Sequence, residues 1–208
     1  MIQLYTWKTP NGHKASIVLE ELGLAYQVHP VDISADEQFD PAYLALNPNN
    51  KIPTLVDQTG AAAPRVLFET GAILLYLADL KGALIAEGGP ARDEALAWLF
   101  WATSGLAPMA GQWSYFAVRA QAPVPEAIER FTKELARLLH VLERRLGEAP
   151  YLAGDYGIAD IAAFTWTAAT LPKFREKAPD ALGPTPNIDR WLDEIGARPA
   201  VRRGLEVP

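Results

Sequence analysis

Short apolar runs and two longer periodic stretches share the first eighty residues, whereas helical periodicity dominates from about residue 90 onward. Residues 2–7 are rich in β-formers, which predicts a first strand. Thr9-Pro10-Asn11-Gly12 then reads as a turn and helix start, because Pro and Gly punctuate and Asn caps. Ala15, Val18, Leu19 and Leu22 follow at helical spacing, and Gly23 stands where a left-handed residue closes a helix. Residues 26–33 predict a second strand. Pro30 lies inside it and has no N–H for a ladder, so this strand belongs at an edge. Residues 54–57 and 65–68, joined by a loop containing Gly and Ala, predict a hairpin. Glu69-Thr70-Gly71 opens a helix with Ile73, Leu74, Leu77 and Leu80 on one side, and Gly82 ends it. The order strand, helix, strand, hairpin, helix predicts an α/β domain over residues 1–81.

Gly88-Gly89-Pro90 marks residues 82–90 as a linker, and 91–208 reads as an all-α domain. There Pro125 and Glu126 suit a helix start. Ile128, Phe131, Leu135, Leu138, Leu142 and Leu146 recur at intervals of three or four. Residues 158–169 are apolar on nearly every side, which predicts a buried central helix. A last helix is expected near 188–197, carrying Trp191 and Ile195.

Composition narrows the chemistry. The 208 residues are half hydrophobic and carry a net charge of -6, so a concentrated basic surface for nucleic acid is not expected. No apolar run reaches spanning length, and the start of the chain carries neither signal nor transit features. The expected location is the cytoplasm. The chain has no cysteine, which excludes disulfides, thiolate metal sites and a redox thiol of its own. Any thiol chemistry must use a thiol carried by a ligand. His13, His29 and His140 lack metal-ligand spacing, so no metal is expected. His13 reads as a surface residue on the first helix turn.

Three segments of the first domain have the makings of a site. Ile52-Pro53 directly precedes a strand. A cis bond there would turn the Ile52 N–H and C=O outward to pair with an extended peptide; the alternative is a trans-proline turn. Glu69-Thr70 sits at a helix N-terminus, where a hydroxyl and free N–H groups suit a carboxylate and Glu69 suits an ammonium. The alternative is a plain helix cap. Thr9 and Asn11 could hydrogen-bond a thiolate. Lowering a thiol pKa by about two units takes roughly 2.7 kcal/mol, within reach of one or two donors and a helix dipole. The alternative is a capped turn without a ligand.

Together these segments resemble the glutathione transferase family. Gly154-Asp155-Tyr156-Gly157-Ile158-Ala159-Asp160-Ile161 extends the likeness into the helical half. The runs 9–14, 47–53 and 68–77 look most like the bacterial nu class, whose members are glutathione transferases that also act as glutathione-dependent disulfide-bond reductases. The resemblance implies a thioredoxin-like first domain, a homodimer, and glutathione as cosubstrate with a small electrophile or disulfide. It places Thr9 and Asn11 at the sulfur, Ile52 at the cysteinyl backbone beside Pro53, and Glu69 and Thr70 at the γ-glutamyl head. It places Gln38 and Lys51 at the ligand's polar ends and matches Arg130 to a position from which the helical domain contacts glutathione; for Arg130 the alternative is a solvated helix-face arginine. Thr70 stands where the family more often has Ser, and Gly157 where its capping box usually has Ser or Thr. Trp113 and Tyr115 are candidates for a second-substrate pocket, with Trp98 and Trp101 assigned to ordinary core. Two alternatives to this enzyme reading stand open: a non-catalytic interaction module on the same fold, and a glutathione-dependent organic peroxidase.

Overall fold

A computed structural model describes residues 1–60 and 63–208. It divides into two compact units, Met1–Ile85 with Ala197–Pro208, and Ala86–Gly196.

The first unit is built on a four-stranded sheet in the order β2-β1-β3-β4. The central β1 (Ile2–Thr6) runs parallel to β2 (Tyr26–Pro30), with Ile2 opposite Tyr26 and Thr6 opposite Pro30. It runs antiparallel to β3 (Thr54–Asp57), with Tyr5 opposite Thr54. β4 (Arg65–Leu67) completes the hairpin with Leu67 opposite Leu55. Pro30 therefore sits on an edge strand, where its missing N–H costs no ladder bond. Ile2, Leu4 and Thr6 alternate inward along β1, as a half-buried strand requires.

α1 (Pro10–Glu21) follows β1, and α3 (Thr70–Lys81) follows β4. Gly23 and Gly82 end these helices with φ of +60° and +63°, which glycine adopts at little cost. Between β2 and β3 the chain forms a 3₁₀ turn (Glu37–Phe39) and the short α2 (Pro41–Leu44), neither of which the apolar pattern announces.

The end of the chain departs from the division 1–81, 82–90, 91–208. α9 (Pro199–Leu205) packs on α1 in the first unit instead of joining the helical domain. Gly204 makes this possible, because a methyl group there would lie 2.7 Å from the Cα of Ile17. The Ser16 hydroxyl donates to the Gly204 carbonyl at 2.7 Å. Arg198 and Arg203 pair with Glu21 and Glu20. The second helical region also starts earlier than expected, since α4 (Gly89–Phe100) takes in the last two residues assigned to the linker.

The second unit surrounds α7 (Ile158–Lys177), against which α4 and α5 (Ala107–Ser114) pack. Two π-helical stretches, Trp101–Leu106 and Tyr115–Arg119, flank α5. The helix thus changes register before Pro108, where Gly105 and Pro108 suggest a break. α6 (Pro125–Glu148) turns Leu135, Leu138, Leu142 and Leu146 inward, and α8 (Pro186–Gly196) contributes Ile188, Trp191 and Ile195. Asp160 is fully buried at the start of α7. It accepts from the Leu152 N–H at 3.0 Å, the Trp191 Nε1 at 2.9 Å and the Gly157 N–H at 3.1 Å. Gly157 offers no side-chain acceptor in return, so Asp160 supplies half of a capping box. Among the described residues no helix is long and apolar enough to cross a membrane.

Candidate active site

Three loops of the first unit meet where the C-terminal end of β1 lies beside the start of β3. Thr9 is the N-cap of α1, and its Oγ1 accepts from the Gly12 N–H at 3.1 Å. The capped turn is therefore real, and it presents Asn11 in the first turn of the helix. The Asn11 Oδ1 accepts a hydrogen bond from the Lys14 Nζ at 3.0 Å. Lys14 is only 1% exposed. Burial pushes its ammonium down to about 7, opposed by the nearby negative charge of Glu69.

Glu69 heads α3 with φ 69° and ψ 119°. A non-glycine residue held at positive φ costs about 1–3 kcal/mol, a cost that tends to be retained at functional sites. Its Oε1 accepts weakly from the Asn49 Nδ2 at 3.4 Å. The next residues, Thr70 and Gly71, supply first-turn N–H groups that no helical carbonyl can reach. Positive potential and free donors gather at that helix end.

The third loop is held from inside. The Asn47 Nδ2 donates to the Lys51 carbonyl at 2.7 Å and to the Thr54 Oγ1 at 3.1 Å. The Tyr43 hydroxyl reaches the same two atoms at 2.7 and 2.9 Å. These bonds fix the backbone just before β3. Ile52–Pro53 is cis. Among the described residues no backbone hydrogen bond engages the Ile52 N–H or C=O. Asn49 joins this loop to Glu69, and Glu69 acts on Lys14, which holds Asn11. Two hydrogen bonds and one electrostatic attraction thereby link Asn11, Glu69 and the 47–53 loop.

The Gln38 amide lies in the 3₁₀ turn with its Oε1 buried and unpartnered and its Nε2 3.4 Å from the Asp36 Oδ1. Lys51 extends an exposed side chain. Arg130 is exposed on α6 of the second unit, where its charge acts on Glu134.

Trp113 is not a pocket residue. It is 1% exposed, its Nε1 donates to the Thr132 Oγ1 at 3.1 Å, and its ring packs on Phe174 at 5.0 Å. It is core of the second unit. Tyr115 is 50% exposed and meets Phe116 edge-on. Trp98 and Trp101, assigned to core, are half-buried and pack edge to face, with Arg145 over Trp98. His13 is half-buried, not on the surface, and burial lowers its pKa.

Lys14, Asn47 and Tyr43 escape sequence reasoning. For Lys14 a signal exists: the step that links Val18 to Leu22 runs back to position 14, so a lysine there falls on the buried face. Asn47 and Tyr43 act through long-range contacts that no spacing announces.

Residues 9–80 match the glutathione S-transferase N-terminal domain, and residues 106–199 match the glutathione S-transferase C-terminal domain. The chain is 43% identical over 208 residues to the disulfide-bond oxidoreductase YfcG of Escherichia coli, covering 99% of this chain and 94% of the relative. It is 40% identical to the disulfide-bond oxidoreductase YghU of the same organism, over 98% of this chain and 73% of the relative. A glutathione transferase family member from Pseudomonas fluorescens, solved with two glutathione bound, superposes with a TM-score of 0.93 at 42% identity, covering 100% of this chain and 93% of the other. A glutathione transferase from Pseudomonas putida, solved with one glutathione disulfide per subunit, gives 0.94 at 38% identity, covering 100% and 91%.

Proposed function

The chain belongs to the glutathione transferase family, and from that premise we propose that it is a glutathione-dependent disulfide-bond reductase that also retains transfer of glutathione to electrophiles. The observation that carries this reading is the convergence of the Thr9–Asn11 turn, the 47–53 loop and the start of α3, in a chain with no cysteine.

In this reading the Ile52 backbone pairs with the cysteinyl part of glutathione as an added strand would. The first-turn N–H groups and hydroxyl of Thr70 take the γ-glutamyl carboxylate, and Glu69 takes its ammonium. Gln38 and Lys51 serve the ligand's other polar end. The sulfur then faces Thr9 and Asn11, whose donors favour the anion. They act by stabilising the thiolate, not by removing its proton as a base.

The reaction balances without a protein thiol. A glutathione thiolate attacks one sulfur of a disulfide, forms a mixed disulfide and releases one thiolate, which takes up a proton. A second glutathione thiolate attacks the glutathione-side sulfur of that mixed disulfide. It releases the second thiol and leaves glutathione disulfide. Two glutathione thiols are oxidised and one disulfide is reduced. The relatives solved with two glutathiones or one glutathione disulfide support such a site.

Turnover of a small dialkyl disulfide, an aryl halide and an organic hydroperoxide at equal glutathione concentration tests the proposal. The disulfide should be the best substrate. A protein that shows no thermal shift with millimolar glutathione and turns over none of the three would be an interaction module instead.

A further inference from the structure

We propose that Lys14 is a positioning residue for the thiolate site: by donating to the Asn11 Oδ1 it fixes the orientation of the Asn11 amide, so that the amide N–H group and not its oxygen addresses the ligand's sulfur. The inference rests on the glutathione reading above and adds to it a residue that makes no contact with the ligand's sulfur itself.

An asparagine amide has two faces of opposite use to a thiolate. Its Nδ2 stabilises an anion, whereas its Oδ1 repels one. Nothing in the covalent structure chooses between them. A charged lysine does, because an ammonium is a donor only, so the atom 3.0 Å from the Lys14 Nζ must be an acceptor. Lys14 sits one helical turn beyond Asn11 on α1, where the two side chains share a face.

The location is an expensive one. Lys14 is 1% exposed on a face it shares with the fully buried Ala15, Val18 and Leu19. A buried amine with so little compensation loses free energy that a methionine of similar shape would not. That cost is retained within reach of Asn11 and Glu69.

The charges around Lys14 set when the device works. α3 brings Glu69, whose carboxylate favours the ammonium. On its own helix the neighbouring His13 is biased neutral by burial. The end of the chain brings Arg198, just before α9, and Arg202 and Arg203 within it; Arg198 and Arg203 engage Glu21 and Glu20 at the opposite end of α1. β1 offers one titratable side chain, Tyr5, whose hydroxyl donates to the Gln3 Oε1. Burial holds the ammonium at about 7. A neutral amine can accept as well as donate, so the amide is locked in one sense only while Lys14 is charged. A thiolate arriving beside Asn11 favours that charged form, and ligand charge and amide orientation reinforce each other.

The test is the far-ultraviolet thiolate band of bound glutathione, titrated with pH in four proteins: wild type, Lys14→Met, Asn11→Ala and the double variant. The affinity of S-methylglutathione, which has no thiol, is measured alongside. A wild type that binds S-methylglutathione and shows the band upholds the glutathione reading. A wild type lacking both overturns that reading and this inference together. Given the band, Lys14→Met should raise the apparent pKa of the bound thiol by about one unit, a tenfold smaller thiolate fraction below that pKa. It should change S-methylglutathione affinity by less than about threefold. In the Asn11→Ala background the same substitution should leave the thiol pKa where it is. An unchanged pKa in Lys14→Met overturns the inference, as does an equal shift with and without Asn11. Should the methionine variant not fold, Lys14→Leu, which also has no donor, carries the same reading.

Discussion

Gly12 packs so closely beneath the carbonyl of Trp7 that a Cβ on it would lie 2.1 Å from the carbonyl oxygen, and 2.5 Å from the Thr6 Oγ1. Backbone, not a movable side-chain end, is the first obstacle. Position 12 must therefore be glycine if α1 is to start where it does, directly behind Thr9 and Asn11. Gly12→Ala is expected to lose about 1–3 kcal/mol by overpacking. It should also lower glutathione-dependent turnover in whatever protein still folds, because the displaced turn carries both residues proposed to face the sulfur. Urea melts and initial rates on the same preparation check both.

In the proposed site, Asn11→Ala removes a donor to the thiolate and leaves the proposed γ-glutamyl and cysteinyl contacts in place. A hydrogen bond to a charged group is worth about 1.5–3 kcal/mol, roughly 10- to 150-fold. Turnover at subsaturating disulfide should fall by that factor while S-methylglutathione affinity stays within about threefold of wild type. Equal losses in the two would mean that Asn11 positions the ligand and does not stabilise the anion.

Glu69→Gly separates stability from function. Glycine adopts φ 69° without the steric cost a glutamate meets there. Relief of strain is offset in part by the added freedom of the unfolded chain. The melting midpoint should hold or rise, whereas glutathione affinity should fall at least about tenfold as the ammonium loses its acceptor. A variant that is both unstable and tight-binding would refute the assignment.

Asp160 has a structural part in the second unit. Replacing it with alanine strands three donors, the N–H groups of Leu152 and Gly157 and the Trp191 indole. Each unpaired buried donor costs about 1–3 kcal/mol, so Asp160→Ala should lose at least about 3 kcal/mol. Burial raises the carboxyl from 3.8 to about 6 on folding, against the pull of those same donors. The folded state thus binds the proton more tightly than the unfolded one. The associated stability is full below pH 3.8 and fades as pH rises through about 6. Urea midpoints should show a larger gap between wild type and Asp160→Ala near pH 4 than near pH 7.

Local patterns made the first unit readable. The edge position of Pro30, the closing role of Gly23 and Gly82 and the hairpin of β3 and β4 all follow from one residue's stereochemistry or a short alternation. The family and its glutathione chemistry were legible for a related reason, since the motif residues lie in short contiguous runs. Long-range packing was not legible. α9 looks like any short terminal helix, and only the close approach of Gly204 to Ile17 assigns it to the first unit. Trp113 belongs to a sequence cluster of aromatics that suits a pocket equally well, and only its long-range contacts with Thr132 and Phe174 assign it to the core. Lys14 was hidden by its type, because lysines are rarely buried and a helical lysine is ordinarily read as solvated.

A crystal of this protein grown with glutathione disulfide tests the central claim most directly. One ligand sulfur should lie within hydrogen-bonding distance of the Thr9 hydroxyl and the Asn11 Nδ2, with the adjacent cysteinyl backbone paired to Ile52. Electron density placing both sulfurs away from Thr9 and Asn11, with Ile52 unpaired, would contradict the account.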